Sequence, residues 1–480
     1  MEILKEYDII AIGTGSAMNI ISSVINNNPE LKVAVIDKDE PGGICLTKGC
    51  IPTKILLYPA EIIKSIQRAD IFGIDAEIKK IDFKKVMERM RSIIYEDING
   101  IREGLSKAKE LDYYPEIAEF IEPYTLKVGE KKIKGKMILL CTGSKPKIPK
   151  IKGLDKIDFH TSDSILKINE LPQSICIVGG GYIAAEYGHF FSAMGSKVTI
   201  LGRNPQFLPQ EEPEISALAK KDLSKYLTIY TDYEVKEIEK NADGKNKVIA
   251  INRKTNEKLE IISEQVLIAV GRSSNSDILH PNKSGIKTDE NGWIIVNDQL
   301  ETTQKNIWAF GDANGKYLFK HSANYESQIV YYNAFQQREI KADYHAIPHA
   351  VFTDPEVAGV GMLEKEAVKQ YGKENILIGM QRYQDTAKGK AMELEDYFVK
   401  IIIEQKSMEI LGAHIIGPQA SVLIQEIINL MYTPDRSLIP LLYGMHIHPA
   451  LSEVVERAAG NLMPIDQYHH FLKHIGLSEK

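Results

Sequence analysis

The sequence predicts an α/β protein with two Rossmann-like dinucleotide-binding domains and a C-terminal α+β domain. Residues 7–37 and 173–203 each read as a strand, a glycine-rich turn, a helix and a second strand. Both segments have the length of about 30 residues that a right-handed βαβ crossover needs. One glycine fingerprint is weak evidence, whereas two in this context are much stronger. From residue 344 onward strands alternate with apolar helices, which indicates a different, α+β type of domain.

The composition narrows the class of protein. A chain of 480 residues with 44% apolar residues is long enough for about three domains. Its net charge of −6 leaves no basic footprint, so nucleic acid is not an expected partner. No uncharged apolar run approaches ~18–20 residues, so we expect no membrane span. The chain enters its first strand without a signal peptide, which makes the cytoplasm the expected location.

The first fingerprint has the features of a dinucleotide site. Gly13 and Gly15 allow the tight turn that brings the backbone against a pyrophosphate at a helix N-terminus. Asp37, at the end of the second strand, can accept hydrogen bonds from a ribose. Gly311 and Asp312 follow another strand far downstream. A second acidic residue at a strand end suits a further sugar-like chain, such as the ribityl of FAD.

The second fingerprint consists of Gly179, Gly181 and Ala184. A site that selects NAD ends its second strand in Asp or Glu, which binds the ribose 2′-hydroxyl. Here the strand ends in Gly202 and Arg203, and a guanidinium can pair with a 2′-phosphate. The pattern therefore favours NADPH. The alternatives are that the site uses NADH, or that Arg203 is a solvated surface residue and the site prefers neither nucleotide.

Two cysteines lie five residues apart in the run GGICLTKGCIPTK. A reducing compartment disfavours a structural disulfide, and no second cysteine pair or histidine cluster nearby completes a zinc site. The remaining interpretation of Cys45 and Cys50 is a redox-active dithiol. On an ideal helix their Cα atoms would be roughly 8–9 Å apart, whereas a disulfide needs about 4.4–6.8 Å. We therefore expect a distorted helix start there, while Cys141 and Cys176 read as small buried residues in strands.

Together these motifs resemble the class I pyridine nucleotide-disulfide oxidoreductases over nearly the whole chain. In order they are the first fingerprint, CxxxxC, a Thr142–Gly143 turn, the second fingerprint, the Gly311–Asp312 pair and a C-terminal HxHPxxxE. The runs IGTGSAMN, YLFKHSANYE and VFTDPEVAGVG are similar to the branch with mycothione reductase and dihydrolipoyl dehydrogenase-like proteins.

The resemblance implies the domain organisation and the cofactors. Residues 1–150 and 275–344 would bind FAD, residues 151–274 would bind NADP(H) or NAD(H), and residues 345–480 would form a homodimer. The implied cofactor-binding residues are those of the two fingerprints, Asp37, Arg203, Gly311 and Asp312, with Gly43, Thr142, Gly143, Gly271 and Arg272.

The resemblance also implies residue roles. Electrons would pass from NAD(P)H through FAD to a Cys45–Cys50 disulfide. Cys50 would face the flavin as a thiolate, and Cys45 would exchange with the substrate sulfur. Lys54 and Glu186 match an ion pair beside the flavin. His448 would act as acid and base, oriented by Glu453, and would reach the disulfide of the other subunit.

The leading hypothesis is an NAD(P)H-dependent reductase of a low-molecular-weight disulfide. The main alternative is a dihydrolipoyl dehydrogenase that uses NAD⁺ and serves the lipoyl domain of a 2-oxo acid dehydrogenase complex. A non-catalytic flavoprotein redox sensor is the distant alternative, since the cysteines, His448 and Glu453 are all present. Mercuric reductase is disfavoured because the C-terminal tail has no cysteine.

Overall fold

The computed structural model describes residues 5–477, which form 23 strands and 13 α-helices. The strands are β1 (Lys5–Ile12), β2 (Val33–Ile36), β3 (Leu111–Tyr114), β4 (Ala118–Glu122), β5 (Thr125–Val128), β6 (Lys131–Leu140), β7 (Ser144–Pro146), β8 (His160–Thr161), β9 (Ser174–Val178), β10 (Lys197–Leu201), β11 (Thr228–Tyr230), β12 (Tyr233–Lys240), β13 (Asn246–Asn252), β14 (Lys258–Ser263), β15 (Gln265–Ile268), β16 (Arg272–Ser274), β17 (Ile307–Ala309), β18 (Pro348–Val351), β19 (Val357–Gly361), β20 (Ile376–Arg382), β21 (Phe398–Glu404), β22 (Ile410–Ile416) and β23 (Leu462–Pro464). The helices are α1 (Ala17–Asn27), α2 (Gly43–Thr47), α3 (Cys50–Gln67), α4 (Phe83–Lys107), α5 (Tyr182–Met194), α6 (Pro213–Leu223), α7 (Lys320–Gln336), α8 (Glu364–Tyr371), α9 (Ala387–Ala391), α10 (Ala420–Met431), α11 (Ile439–Tyr443), α12 (Ser452–Gly460) and α13 (Ile465–His474).

The first sheet has the order β3-β2-β1-β6-β5-β4, with β17 paired to β6. β1, β2, β6 and β17 run parallel, so their carboxyl ends lie at one edge of the sheet. The C-terminal parts of β1 and β6, and the whole of β2 and β17, are apolar and buried on both faces, as parallel strands covered by helices are. Gly13, Asp37, Cys141 and Phe310 each follow one of these strands and therefore come together.

The second sheet, β11-β10-β9-β15-β8, is parallel throughout. β9, α5 and β10 form the second predicted βαβ unit, and Gly179 and Gly202 follow its two strands. A small antiparallel sheet, β12-β13-β14, follows in the chain and packs on this unit.

The C-terminal sheet has the order β18-β19-β22-β21-β20-β23, and all its pairings are antiparallel. Buried residues of α10 and α12 share a core with β20, β21 and β22. The first sheet with its parallel strands β1, β2, β3, β6 and β17, the parallel second sheet and this antiparallel, helix-backed sheet confirm the predicted fold class. Within residues 5–477 no helix combines the length and apolar character of a transmembrane span.

The helix α4 has a glycine in its interior. It continues through Gly100 from Phe83 to Lys107. A glycine inside a helix costs only about 1 kcal/mol relative to alanine. The buried stripe of Met87, Met90, Ile94 and Ile98 outweighs that cost by packing the helix onto the core.

A buried ionic cluster joins α6 to the C-terminal sheet. Nζ of Lys400 lies 3.0 Å from Glu212, 2.6 Å from Glu214 and 2.7 Å from Glu364. The Lys400 side chain is completely buried, and the ring of Tyr468 lies 4.8 Å from its charge. Because three carboxylates share one ammonium group, the cluster depends on Lys400 for its charge balance.

We expect Lys400→Met to lower the free energy of unfolding by about 3–5 kcal/mol, because it removes the buried ammonium group that the three carboxylates share. Chemical denaturation of the protein measures the loss. The matched control is Lys221→Met, which removes an exposed lysine that also joins α6 to the C-terminal part, 2.7 Å from Asp396. That exposed pair should contribute below about 1 kcal/mol. Equal losses in the two variants would contradict the role of the buried cluster.

Candidate active site

A break in the helix places the two cysteines in contact. Cys45 lies in α2, Cys50 begins α3, and Gly49 lies between the two helices. A Cβ atom at Gly49 would lie 2.9 Å from the carbonyl oxygen of Ile44, so a larger residue would push the two helices apart. Both cysteines are free thiols, and the interaction between their side chains is the largest influence on the pKa of each. The interruption is the distortion that the five-residue spacing requires.

The two thiols have opposite electrostatic environments. The hydrogen bond from Cys45 and the charge of Lys54 lower the pKa of Cys50 to about 6, against the effect of burial. The same hydrogen bond and burial raise the pKa of Cys45. Cys50 also occupies the first turn of an 18-residue helix, whose N-terminus favours a thiolate. At neutral pH the pair therefore holds one thiolate, on Cys50, and one thiol, on Cys45.

An ion pair lies beside the cysteines. Nζ of Lys54 on α3 is 2.8 Å from both carboxylate oxygens of Glu186 on α5. The backbone N–H of Phe352 donates to Glu186 at 3.1 Å, and the Phe352 ring lies 4.7 Å from the Lys54 charge. Lys54 and Glu186, predicted as a pair, are thus brought together and held by a third part of the chain.

A cavity of about 2040 Å³ connects the cysteines with both glycine fingerprints. Ligand pockets usually measure about 300–1,000 Å³, so this cavity has room for more than one small-molecule ligand. Most of the predicted site residues line it: Gly13, Gly15, Asp37, Gly43, Cys45, Cys50, Lys54, Thr142, Gly143, Gly179, Gly181, Glu186, Arg203, Gly271, Arg272, Gly311 and Asp312. Ala184, His448 and Glu453 do not line it.

The first fingerprint forms a cradle that fits a dinucleotide such as FAD. Gly13 has φ +109°, and a Cβ atom there would lie 2.2 Å from the carbonyl oxygen of Cys141. A Cβ atom at Gly43 would meet the Cα atom of Gly15 at 2.7 Å. Oγ1 of Thr142 is buried without a hydrogen-bond partner among residues 5–477, which leaves a polar atom for a ligand.

Two carboxylates lie at the strand ends of this half. Asp37 accepts hydrogen bonds from the N–H and Oγ1 of Thr14 at 2.8 and 2.5 Å. Part of the hydrogen-bonding capacity of its carboxylate is therefore already used to hold the glycine turn. Ser144 donates a hydrogen bond to Asp312. Burial raises the pKa of both carboxyl groups, and these hydrogen bonds oppose the shift. Each keeps lone pairs for a sugar hydroxyl.

Arg272 is engaged within the protein. Its Nε and one terminal nitrogen donate to Oγ and the carbonyl oxygen of Ser144 at 2.6 and 2.9 Å, and Asp312 lies 3.9 Å away. The sequence predicted a cofactor contact for Arg272. The guanidinium braces Ser144 and Asp312 at the cavity wall, which Arg272 also lines, and the cofactor contact stays a prediction.

The second fingerprint repeats the cradle beside β9 and β10. Gly179 has φ +142°, and a Cβ atom there would lie 2.1 Å from the carbonyl oxygen of Ala269. Ala184 is fully buried in the core behind the turn, where the third fingerprint residue packs its helix on the sheet. Its predicted cofactor role is therefore indirect.

Arg203 has a neighbour that the sequence did not reveal. Arg253 donates to the carbonyl oxygen of Arg203 at 3.0 Å, which places two guanidinium groups near the end of β10. Lys236, 2.6 Å from Glu234, lowers the pKa of that carboxyl group most, and Arg253 and Arg203 add to the effect. Because Arg253 follows β13, only the register of the small antiparallel sheet brings it here.

His448 and Glu453 form a pair outside the cavity. Nδ1 of His448 lies 2.9 Å from Glu453, which also accepts hydrogen bonds from Arg457 at 3.0 Å and from the N–H of Ala450 at 3.2 Å. The hydrogen bond with His448 is the main cause that lowers the pKa of Glu453. The His448 side chain is 66% exposed and does not line the cavity with the cysteines.

Comparisons with known proteins agree with this geometry. The pyridine nucleotide-disulphide oxidoreductase family matches residues 7–338, and the dimerisation domain of the same family matches residues 347–459. The mycothione reductase of Mycobacterium tuberculosis is 35% identical over 468 residues, covering 95% of this chain and 99% of that protein. The dihydrolipoyl dehydrogenase of Chlamydia trachomatis is 32% identical over 475 residues, covering 97% and 98%.

A solved structure extends the likeness to the fold. The HOCl-induced flavoprotein disulfide reductase RclA from Escherichia coli has a TM-score of 0.82 and 27% identity, covering 94% of this chain and 99% of that chain. The matches in sequence and structure span nearly the whole chain. This protein belongs to the pyridine nucleotide-disulphide oxidoreductase family.

Proposed function

We propose that this oxidoreductase uses NAD(P)H to reduce a low-molecular-weight disulfide, through the cysteine pair Cys45 and Cys50. The observation that carries the proposal is the polarised pair, with its thiolate on Cys50, at the wall of a cavity that also reaches both dinucleotide fingerprints. A structural cysteine pair has no need of a lowered thiol pKa or of access to such a cavity.

Enzymes of this family use FAD and NAD(P)H, and the residues present fit both. The glycine cradle at Gly13 and the free Oγ1 of Thr142 suit FAD, and the cradle at Gly179 suits the pyridine nucleotide. Bound FAD supplies a two-electron carrier between the nicotinamide and the cysteine pair. Lys54 would place a positive charge beside that carrier, while Glu186 fixes the position of the charge.

The cysteines would perform the exchange with the substrate. In the reduced pair, the sulfur of Cys45 attacks one substrate sulfur, and the first thiol leaves. The Cys50 thiolate then attacks Cys45 in the resulting mixed disulfide and releases the second thiol. The pair is left as a disulfide that two electrons from NAD(P)H restore. Cys45, whose pKa is raised, must lose its proton before it attacks, whereas Cys50 is already the thiolate that closes the disulfide.

His448 would accept the proton that Cys45 loses on attack and donate it to the first substrate thiol as that thiol leaves. Glu453 holds Nδ1 and so leaves Nε2 free for proton transfer. Since His448 lies outside the cavity of its own subunit, we assign it to the cysteine pair of a partner subunit. The match to a dimerisation domain supports a homodimer. The loop that precedes His448 supports it too, because it exposes the apolar side chains of Tyr443, Met445 and Ile447.

We propose NADPH as the preferred nucleotide. Arg203 at the end of β10, with Arg253 beside it, offers guanidinium groups to a 2′-phosphate where an NAD site has a carboxylate. The reaction direction is then reductive, and it suits the cytoplasm, where thiols are kept reduced.

The substrate class has two candidates. The likeness to a mycothione reductase favours a small disulfide, whereas the likeness to dihydrolipoyl dehydrogenases keeps lipoamide, carried by a lipoyl domain, as the alternative. Arg203 favours the first candidate, because dihydrolipoamide oxidation would use NAD⁺.

The thiolate of Cys50 gives a pH signature. In the reduced protein, alkylation of Cys50 by iodoacetamide should follow an apparent pKa of about 6, with the reactive thiolate lost as pH falls through that value. Lys54→Met removes a charge that lowers this pKa and should shift the profile upward. Lys48→Met is the control, since Lys48 pairs with Asp39 at 3.2 Å. Peptide mass spectrometry measures the alkylation, and an unchanged profile in Lys54→Met would reject the electrostatic assignment.

A complementation experiment tests the shared site. His448→Gln should lower disulfide turnover by about 10²–10⁴-fold, as loss of a general acid does, and Cys50→Ser should abolish it. An equimolar mixture of the two variants, after subunit exchange, should recover about a quarter of wild-type activity, because half of its dimers are mixed and each mixed dimer holds one intact site of two. No recovery, after mass spectrometry has shown that the subunits exchanged, would place His448 and the cysteines of one subunit in the same site.

The nucleotide assignment rests on Arg203. Arg203→Leu should lower kcat/KM for NADPH by about 10–100-fold, the loss of a charged hydrogen bond, and leave kcat/KM for NADH within a factor of about two. Lys254→Leu is the control, since this nearby lysine pairs with Asp232 at 2.8 Å. Steady-state kinetics with both nucleotides measure the change. A wild-type enzyme that prefers NADH would contradict the assignment and favour the dihydrolipoamide alternative.

A further inference from the structure

Four aromatic rings form a stack in the wall of the cavity. The Tyr182 and His349 rings are 5.6 Å apart and 12° from parallel, His349 and Phe319 are 6.5 Å and 15°, and Phe319 and His321 are 5.2 Å and 11°. All four residues line the cavity. They come from three separate parts of the chain: the start of α5, the strand β18, and the segment that leads into α7.

A buried carboxylate holds two of these rings. Oε1 of Glu211 accepts the hydroxyl of Tyr182 at 2.7 Å and lies 2.9 Å from Nε2 of His349. The Glu211 side chain is completely buried, and its Oε2 has no hydrogen-bond partner within the described part of the chain. Although burial alone would raise the pKa of Glu211, His349 and Tyr182 lower it overall, which keeps the carboxylate charged.

The stack adjoins the position where hydride transfer would occur. Tyr182 and Glu186 lie one turn apart on α5, and Glu186 holds Lys54 beside the cysteines. The N–H of Phe352, three residues after His349, donates to the same Glu186. Tyr182 also directly follows Gly181, the last glycine of the second fingerprint. A nicotinamide that reaches Lys54 and Glu186 from that fingerprint therefore passes the ring of Tyr182.

We propose that Glu211 is a positioning residue for the pyridine nucleotide: with His349 it clamps Tyr182 so that the tyrosine ring forms a fixed wall for the nicotinamide. The clamp acts before binding, because a side chain that is already ordered loses less conformational entropy when the ligand arrives. His349 lies in the C-terminal sheet, so the region that mediates dimerisation also completes the nucleotide site. The inference rests on the proposed function only in taking NAD(P)H as the electron donor.

The experiment uses the FAD-loaded enzyme with NADPH, or NADH if that is the better donor, and ferricyanide as electron acceptor. Ferricyanide bypasses the cysteine pair and the disulfide substrate, so the assay isolates the nucleotide step. Tyr182→Phe removes only the hydroxyl that Glu211 holds, and Glu211→Gln removes the charge. Tyr187→Phe is the matched control, because its buried hydroxyl, 3.2 Å from the carbonyl oxygen of Ser162, lies on the same helix.

We expect Tyr182→Phe and Glu211→Gln each to raise KM for the nucleotide by about 3–10-fold, with kcat within about twofold, since the clamp affects ordering and not chemistry. The double variant should show little more than either single change, because both break one contact. Tyr187→Phe should keep the wild-type KM.

An unchanged KM in Tyr182→Phe would overturn the proposal, even if Glu211→Gln does not fold. A melting temperature that falls equally in Tyr182→Phe and Tyr187→Phe, without a change in KM, would reduce the clamp to a structural contact. Failure of the proposed function is separate: a wild-type enzyme that reduces ferricyanide but no disulfide would reject the disulfide substrate and leave the clamp testable.

Discussion

The break between α2 and α3 at Gly49 is the constraint on which the site depends. A continuous helix would hold Cys45 and Cys50 too far apart to react with each other. The break lets the two thiols interact, and that interaction lowers the pKa of Cys50 and raises the pKa of Cys45. Because Cys50 then begins a new helix, the helix dipole and Lys54 stabilise the same thiolate. Backbone geometry and electrostatics thus give two chemically identical residues different ionisation states.

The remainder of the fold surrounds this pair with two nucleotide cradles. The parallel strands of the first two sheets direct their carboxyl ends toward one cavity, and the ion pair of Lys54 with Glu186 joins the cysteine helix to the second βαβ unit. Buried charges fix the C-terminal sheet against that unit, through Lys400 and through Glu211 with His349. Each of these buried charges is paired with a protein group instead of water. The pairs therefore hold the C-terminal sheet and the second βαβ unit in one relative position.

Local sequence predicted the fold class and most of the cavity wall. Glycine turns after apolar strands have a specific chemistry, and parallel strands bring their ends together wherever they lie in the chain. The roles inferred for His448 and Arg203 stay proposals, since each needs a partner subunit or a bound nucleotide. The sequence did not predict the burial and partners of residues whose surroundings depend on long-range packing. Cys141, expected to be buried like Cys176, is half-buried and lines the cavity. The acidic run of Glu211, Glu212 and Glu214 resembles a solvated surface, and only the tertiary structure shows its buried partners.

The most direct test of the account is an anaerobic absorbance titration of the FAD-loaded protein with NADPH, combined with a count of alkylatable thiols before and after. The proposed mechanism predicts uptake of about two hydride equivalents per subunit, one for the flavin and one for the cysteine pair. Cys45 and Cys50 should become alkylatable only after the titration. Uptake of about one equivalent, with no change at these cysteines, would show that the pair is not coupled to the flavin and would contradict the proposed mechanism.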